Sequence, residues 1–158
     1  MVLRYDCFKS FKTLNDYRMN VEAELKIQFE KIAKQIDFPV ERLPYFVKSF
    51  TPGSGHEGNY IKVDLSGEIT CAYSERGVYD VELLTTNIDE VLYWFFQSII
   101  FSRACDYERK NRIPNQDSRR ILFAKEEELI RQINPLWEVK LKSYHADVLT
   151  RNPFTDYI

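Results

Sequence analysis

Residues 60–111 read YIKVDLSGEITCAYSERGVYDVELLTTNIDEVLYWFFQSIIFSRACDYERKN. The spacing of their hydrophobic residues changes at Asn87, and this change determines the fold class. Before Asn87, apolar and polar residues alternate in three short runs, which are separated by Ser66-Gly67 and by Glu75-Arg76-Gly77. Alternation of apolar and polar residues between tight turns predicts antiparallel strands with one buried face and one solvent-exposed face. The residues expected on the buried face are Ile61, Val63, Leu65, Ile69, Cys71, Tyr73, Tyr79, Val81 and Leu83.

After Asn87 the sequence is apolar on nearly every side of a helix. Asn87 is a candidate N-cap, and Glu90 three residues later completes the pattern of a capping box. Residues 91–101 are interrupted by Gln97 and Ser98 and are too few to span a bilayer. The pattern therefore predicts a central buried helix over residues 88–112 rather than a membrane segment.

Three further helices follow from apolar residues at helical spacing. The first covers residues 15–36 and is expected to begin at Asn15 or Asn20. The second covers residues 116–133. The third covers residues 135–149, where an Asn-Pro pair supplies a cap and a first helical position. Its predicted apolar stripe is Trp137, Leu141, Tyr144 and Val148.

With a first strand expected at residues 45–50, these elements predict an α+β fold. It comprises an N-terminal helix, an antiparallel sheet of about four strands within residues 45–85, and three C-terminal helices packed on one face of that sheet. A chain of 158 residues is of ordinary length for one core. Residues 1–158 are therefore expected to form a single domain.

Charge is distributed unevenly along the chain. The formal net charge is −2, yet residues 56–90 hold eight acidic residues against Lys62 and Arg76, whereas residues 101–125 hold seven basic residues against three acidic ones. This asymmetry argues against a wholly basic nucleic-acid binder. It allows an acidic face for a basic protein partner, although a solvated mixture of both signs is the ordinary explanation.

The cysteines and the N-terminal residues indicate a compartment. Cys7, Cys71 and Cys105 are odd in number and widely spaced, which fits a reducing environment. The opening MVLRYDCFKSFKT has no apolar run of signal-peptide length. We therefore expect a cytoplasmic protein without a membrane partner.

The sequence contains only weak candidates for a catalytic or cofactor-binding site. GSGHEG at 53–58 matches a dinucleotide-binding string but precedes a strand instead of a helix, so no set of helix amides is available for a pyrophosphate. His56 and His145 are expected on the surface, Cys71 in the core, and Cys105 on the long helix among charged residues. No catalytic residue, metal ligand or cofactor is predicted.

Two polar groups of residues are candidates for binding. Asp80 and Glu82 are expected on one wet strand face, with Glu68 opposite them and Asp64 nearby. The second group lies in the bend between two helices, where arginines can pair with acids in a two-pronged fashion. That bend is either a structural ion-pair network or a partner-binding site, and its candidate residues are Glu108, Arg109, Arg112, Asp117, Arg119 and Arg120.

The C-terminal half carries a specific combination of residues, which are Leu92, Tyr93, Trp94, Tyr107, Glu108, Asn111, Arg112, Ile113, Gln116, Asp117, Arg119, Arg120, Phe123, Asn134, Pro135 and Trp137. In this combination it resembles the immunity protein 63 family of bacterial polymorphic toxin systems. The resemblance covers roughly residues 20–150 and is strongest after Gly77. It departs from the family at Asn115, where glycine is favoured, although asparagine tolerates the left-handed conformation.

The resemblance implies a cytoplasmic antidote that binds a cognate toxin domain, delivered by neighbouring cells, without a cofactor. If the toxin is a nuclease, its basic substrate groove would suit the acidic residues Asp64, Glu68, Asp80 and Glu82, and the polar bend is the second candidate surface. Three alternatives rank below this one. They are an interaction domain with another partner, a small enzyme that uses Cys105 or His56, and a nucleic-acid binder that uses the arginines of the bend.

Overall fold

A computed structural model describes residues 3–50 and 57–156, with side chains from residue 14 onward, and it confirms the α+β fold. The chain divides into two compact units, Met1–Phe95 and Phe96–Ile158. The elements in chain order are α1 (Leu3–Gln35), a 3₁₀ turn (Val40–Arg42), β1 (Tyr45–Phe46), β2 (Gly58–Val63), β3 (Ile69–Glu75), β4 (Val78–Thr85), α2 (Ile88–Asn111), α3 (Arg119–Ile133) and α4 (Pro135–Arg151).

The four strands form one mixed sheet in the order β1-β2-β3-β4. The pairs β2–β3 and β3–β4 are antiparallel, as predicted. The prediction for the first strand is wrong in two respects, because β1 is only Tyr45–Phe46 and it runs parallel to β2. A two-residue hairpin cannot join parallel strands, and residues 47–57 provide the longer connection that a parallel pair requires.

Residues that pair across the strands share a face of the sheet. One face, which we call the core face, carries buried apolar side chains. The other, which we call the tyrosine face, combines aromatic and aliphatic side chains. The core face consists of Phe46, Ile61, Val63, Ile69, Cys71 and Leu83, and the tyrosine face of Tyr45, Tyr60, Tyr79, Val81 and Leu84.

A β-bulge in β4 overturns the alternation expected for that strand. Cys71 pairs with Leu83 whereas Ala72 pairs with Val81, so Glu82 is the extra residue. The bulge shifts the face of every residue before it. Val81 was expected in the core, but it lies on the tyrosine face and is 60% exposed.

Aromatic rings fill the core of the N-terminal unit. The ring of Phe29 in α1 meets Phe46 of β1 edge to face at 6.3 Å and Phe95 of α2 at 5.4 Å. Phe38 also contacts Phe95, with ring centroids 6.0 Å apart. These contacts hold α1 and the start of α2 against the core face. Burying large rings in this way is a main source of stability for a small unit.

Helix boundaries differ from prediction mainly at N-termini. α1 begins at Leu3, so Asn15 and Asn20 lie inside it and do not cap it. The sequence explains the extension, because apolar residues continue at helical spacing upstream of residue 15, through Leu14, Phe11 and Cys7 to Leu3. α3 begins at Arg119 instead of residue 116, since the preceding residues form a turn.

The predicted caps of α2 and α4 are present in modified form. Asn87 accepts a hydrogen bond from the amide of Asp89 at 2.9 Å, which confirms it as the cap of α2. Glu90 does not close a capping box, because its carboxylate accepts the hydroxyl of Thr85, which in turn accepts the amide of Asn87. At α4, Asn134 accepts the amide of Leu136 at 2.9 Å, as predicted.

Candidate interaction surfaces

The acidic residues of the sheet region fall into two separate pairs. Asp64 and Glu68 lie in the turn between β2 and β3, whereas Asp80 pairs with Tyr73 at the far end of β3. Because Tyr73 lies four residues beyond Ile69, Asp80 is about 13 Å along the strand from the start of β3, and Glu82 at the bulge opposite Cys71 and Ala72 lies between these two points. The expectation that Asp80 shares a wet face with Glu68 is wrong, since the bulge places Asp80 on the side of the core face.

Asp64 organises its own turn. Its carboxylate accepts the amide of Ser66 at 2.8 Å, the hydroxyl of Ser66 at 2.6 Å and the amide of Glu68 at 3.0 Å. The hydrogen bond from the Ser66 hydroxyl is the main reason that the pKa of Asp64 lies below its ordinary value. Asp64 therefore carries its charge at neutral pH and has a structural role as well.

Glu82 also has a structural contact. Its carboxylate accepts the indole N–H of Trp94 at 2.8 Å, which links the bulge to α2. Asp80, by contrast, is exposed on β4, where it faces Tyr73 across the strand pair. Of the two acids on this strand, Asp80 is therefore the one that can be changed with less effect on the fold.

Aromatic rings form a chain on the tyrosine face. Tyr60 contacts Tyr45 at 5.2 Å and Tyr79 at 5.1 Å, and Tyr79 also contacts Phe50 at 5.2 Å. The ammonium group of Lys62 lies 5.8 Å from the Phe50 ring, within the range of a cation–π contact. At the edge of this face Val81 and Leu84 are 60% and 58% exposed, so apolar surface is open to solvent there.

The polar bend between α2 and α3 contains the predicted ion pairs. Arg112 donates two hydrogen bonds to Glu108, at 2.7 and 2.8 Å, and Arg109 pairs with Asp106. The hydrogen bond from Arg112 lowers the pKa of Glu108. These arginines are thus committed to neighbours one turn away on the same helix.

Asp117 is the centre of the bend. Its side chain is only 9% exposed. The carboxylate accepts two hydrogen bonds from the Arg119 guanidinium, at 3.0 and 2.6 Å. It also accepts hydrogen bonds from the backbone amides of Arg119 and Thr155. The Arg119 side chain is the main reason that its pKa is far below the ordinary value. Arg120 forms a two-pronged pair with Asp156, which also accepts the Asp117 amide. The network ties the start of α3 to the residues after α4.

An open groove of about 520 Å³ lies beside this network. Its lining includes Arg112, Asn115 and Asn152, together with the Asp117–Arg119 pair. Asn115 has φ of 64°, which confirms that this position takes the left-handed conformation. The charged lining residues are already paired, Asp117 with Arg119 and Arg112 with Glu108 beside the groove. The groove therefore has little unsatisfied charge with which to hold a ligand.

His145 is buried, so the prediction of a surface position is wrong. It is 3% exposed and its ring stacks on Phe123 at 3.9 Å. Nδ1 lies 2.8 Å from Glu127 and Nε2 lies 3.2 Å from the buried Glu126. The spacing gives one signal of an inward position, because His145 follows Leu141 by four residues and Trp137 by eight, whereas Tyr144 on the expected stripe is 56% exposed.

Neither cysteine with a described side chain is activated. Burial, with a smaller effect from the Glu82 charge, raises the pKa of Cys71 to about 12. Burial and the charge of Glu126 also raise the pKa of Cys105. Both are therefore thiols at neutral pH, which is the weakly nucleophilic form. His56 and most of the glycine-rich loop lie outside the described residues.

Within the described residues, no group of three or more histidine, cysteine or acidic side chains is placed to hold a metal ion. Across the same part of the chain, every helix is too short or too polar to cross a bilayer.

Comparison with known proteins gives one result. The model of the family described as Immunity protein 63 matches residues 66–147, from the turn after β2 to the buried histidine of α4. No curated protein and no solved structure matches the chain. The matched region covers slightly more than half of the sequence and contains β3, β4, α2, α3 and most of α4. The chain belongs to the immunity protein 63 family.

Proposed function

We propose that this protein is an antidote that binds a cognate toxin domain and blocks it, which protects the producing cell and its siblings. Membership of the immunity protein 63 family carries the proposal. The toxin would belong to a polymorphic toxin system, such as one of contact-dependent growth inhibition, and the antidote would act in the cytoplasm. The protein would work by binding alone, without catalysis or a cofactor.

Tight association is the physical requirement for such a role. The concentration of free toxin must be kept very low, and a nanomolar dissociation constant corresponds to a binding free energy of about −12 kcal/mol. A few desolvated anchors supply most of such a free energy, while complementary charge raises the association rate. The docking surface should therefore combine exposed apolar side chains with charge of one sign.

The acidic residues of the sheet region are our first candidates for the charged part. Residues 56–90 carry a net charge of −6, which includes Asp64, Glu68, Asp80 and Glu82. A toxin that cleaves nucleic acid needs a basic substrate groove, and such a groove would attract these carboxylates. Asp64 and Glu68 precede the start of β3, whereas Asp80 and Glu82 lie opposite its middle residues. The two pairs would therefore contact different parts of the toxin, or only one pair would be used.

The polar bend is the second candidate surface. Its members Glu108, Arg112, Asp117 and Arg119 are joined in ion pairs, and breaking those pairs would cost free energy on binding. The same pairing disfavours a nucleic-acid binder, because the arginines already hold carboxylates in place of phosphates. We therefore favour the sheet region.

The proposal is tested by titrating the purified toxin domain encoded beside this gene with the purified protein. The expected result is loss of toxin activity that is complete at one equivalent, with a complex that elutes as one species. A toxin that keeps its activity in excess protein, and elutes separately from it, would contradict the proposal.

A further inference from the structure

β4 is the most exposed strand of the sheet. Five of its eight residues are exposed, including Val81 and Leu84, whereas β2 and β3 are largely covered. Within the described residues β4 pairs only with β3, so it forms the edge of the sheet. A partner that approaches this edge meets both the backbone and the side chains of β4.

The bulge at Glu82 brings Val81 and Leu84 together. Residues three apart in a regular strand point to opposite faces. Here Val81 pairs with Ala72 and Leu84 with Thr70, and because Ala72 and Thr70 are two apart on β3, both apolar side chains project from the tyrosine face. They are therefore next neighbours, about 7 Å apart. The bulge thus creates a continuous apolar strip that a regular strand would have divided.

The same bulge disfavours recognition by an added strand. It leaves a residue of β4 outside the regular hydrogen-bond ladder and increases the local twist, which are features that protect edge strands from pairing. Recognition should therefore depend on side chains. The charge on β4 is of one sign, because Asp80 and Glu82 are its only ionisable residues besides Tyr79.

We propose that Val81 and Leu84 are the apolar anchors of the docking surface, and that the toxin domain receives them in an apolar pocket bordered by basic residues. This inference rests on the proposed function and assigns it to a definite site. Tyr79 extends the strip along the same face, and aromatic residues of this kind are enriched among side chains that dominate binding energy. Asp80 projects from the opposite side of the same edge strand, and Glu82 lies at the bulge between the two anchors. The basic border would therefore face these acids at the edge of β4.

The test is a double substitution, Val81→Thr with Leu84→Thr. Threonine has a high β-strand propensity and leaves the charge unchanged, so the variant should keep the wild-type Tm while losing exposed apolar surface. We expect its dissociation constant for the toxin domain, measured by calorimetry, to rise about tenfold or more. The matched control is Leu136→Thr with Val139→Thr, since these α4 residues are 75% and 66% exposed. The control should bind like the wild type.

The outcomes separate this inference from the proposed function. If the wild-type protein does not bind the toxin, both fail. If the wild type binds and the double variant binds equally well, the inference alone is overturned. Sedimentation of the wild type and the variant without toxin provides a second check, because a dimer that the substitutions dissociate would assign the strip to self-association and also overturn the inference. Should Val81→Thr with Leu84→Thr fold poorly, Leu84→Gln replaces it in the same measurements.

Discussion

Asp117 is a single residue that combines burial with charge. Its carboxylate accepts hydrogen bonds from the Arg119 side chain and from two backbone amides, and it is only 9% exposed. Replacing this carboxylate would leave the half-buried Arg119 guanidinium with the neutral carbonyl oxygens of Asn152 and Pro153 as acceptors in place of a charged partner. The bend of the second candidate surface therefore depends on this one carboxylate.

Asp117→Asn should lower the free energy of unfolding by about 2 kcal/mol at neutral pH, as measured by urea denaturation. The control is Asp106→Asn, whose carboxylate is 55% exposed in its pair with Arg109 and should matter little. Because the pKa of Asp117 is depressed, its stabilisation is present above the unfolded pKa near 4 and is lost as the pH falls further. Equal stability of both variants would contradict the assignment.

The second buried charge is the imidazole of His145, which lies between Glu126 and Glu127. Burial opposes its protonation, but hydrogen bonds to the two carboxylates outweigh this effect, and its pKa is raised. Both ring nitrogens face carboxylates, which is the arrangement of a doubly protonated ring. The raised pKa stabilises the fold fully below the unfolded pKa of about 6.5 and loses this effect as the pH rises through the folded value.

His145→Gln should therefore remove a fall in stability that the wild type shows as the pH rises above about 6.5. The measurement is the free energy of unfolding at several pH values on either side of this point. His56→Gln, which changes the other histidine of the sequence, is the control and should keep the wild-type slope. An unchanged slope in His145→Gln would show that this histidine is not the titrating group.

Local sequence rules predict some of these residues and miss others. The left-handed conformation at Asn115 follows from a property of asparagine itself. The burial of His145 does not, because only partners on another helix, Glu126 and Glu127, make a buried imidazole favourable. A histidine at an inward helical position is thus ambiguous until its neighbours from elsewhere in the chain are known.

At the scale of elements, the start of α4 is encoded by two consecutive residues. Asn134 accepts the amide of Leu136, and Pro135 occupies the first turn, where a missing amide hydrogen costs nothing. Asn134→Ala should lower the free energy of unfolding by about 1 kcal/mol in thermal or urea denaturation. Asn134→Asp retains an acceptor and should restore stability. Equal losses in the two variants would argue against capping.

The sheet shows where element prediction fails. Alternation located β2, β3 and β4, but it could not reveal the bulge, since one inserted residue reverses the faces without changing the composition. Glu82 at the bulge bonds to Trp94, a contact twelve residues away that no local pattern contains. The parallel pairing of β1 with β2 was missed for a similar reason, because Tyr45 pairs with Tyr60, fifteen residues away, and no local pattern contains this contact.

These differences matter for the candidate site. The sequence directs attention to β4 and its acids, but it places Val81 in the core, whereas Val81 is 60% exposed. Only the register shows that Val81 and Leu84 share a face and are exposed together. Periodicity can therefore identify the strand of interest, whereas the side chains available to a partner depend on tertiary structure.

At the scale of the whole molecule, charge asymmetry should affect association with the toxin. Asp80→Lys with Glu82→Gln makes the strand positive while leaving an acceptor for Trp94. We expect slower association and weaker binding in stopped-flow measurements, a reduced dependence on salt, and little change in Tm. Asp147→Lys with Asp16→Asn changes the net charge equally at exposed positions elsewhere and is the control. Equal effects of both pairs would indicate that net charge, and not the β4 surface, controls binding.

The most direct test of the central claim is growth rescue. The toxin domain encoded beside this gene is expressed in a sensitive bacterium, with or without this protein, and the surviving cells are tested for copurification of the pair. We predict that toxin alone stops growth, and that coexpression restores growth and yields a stable complex. Continued growth arrest, with no complex recovered from cells that contain both folded proteins, would contradict immunity by direct binding.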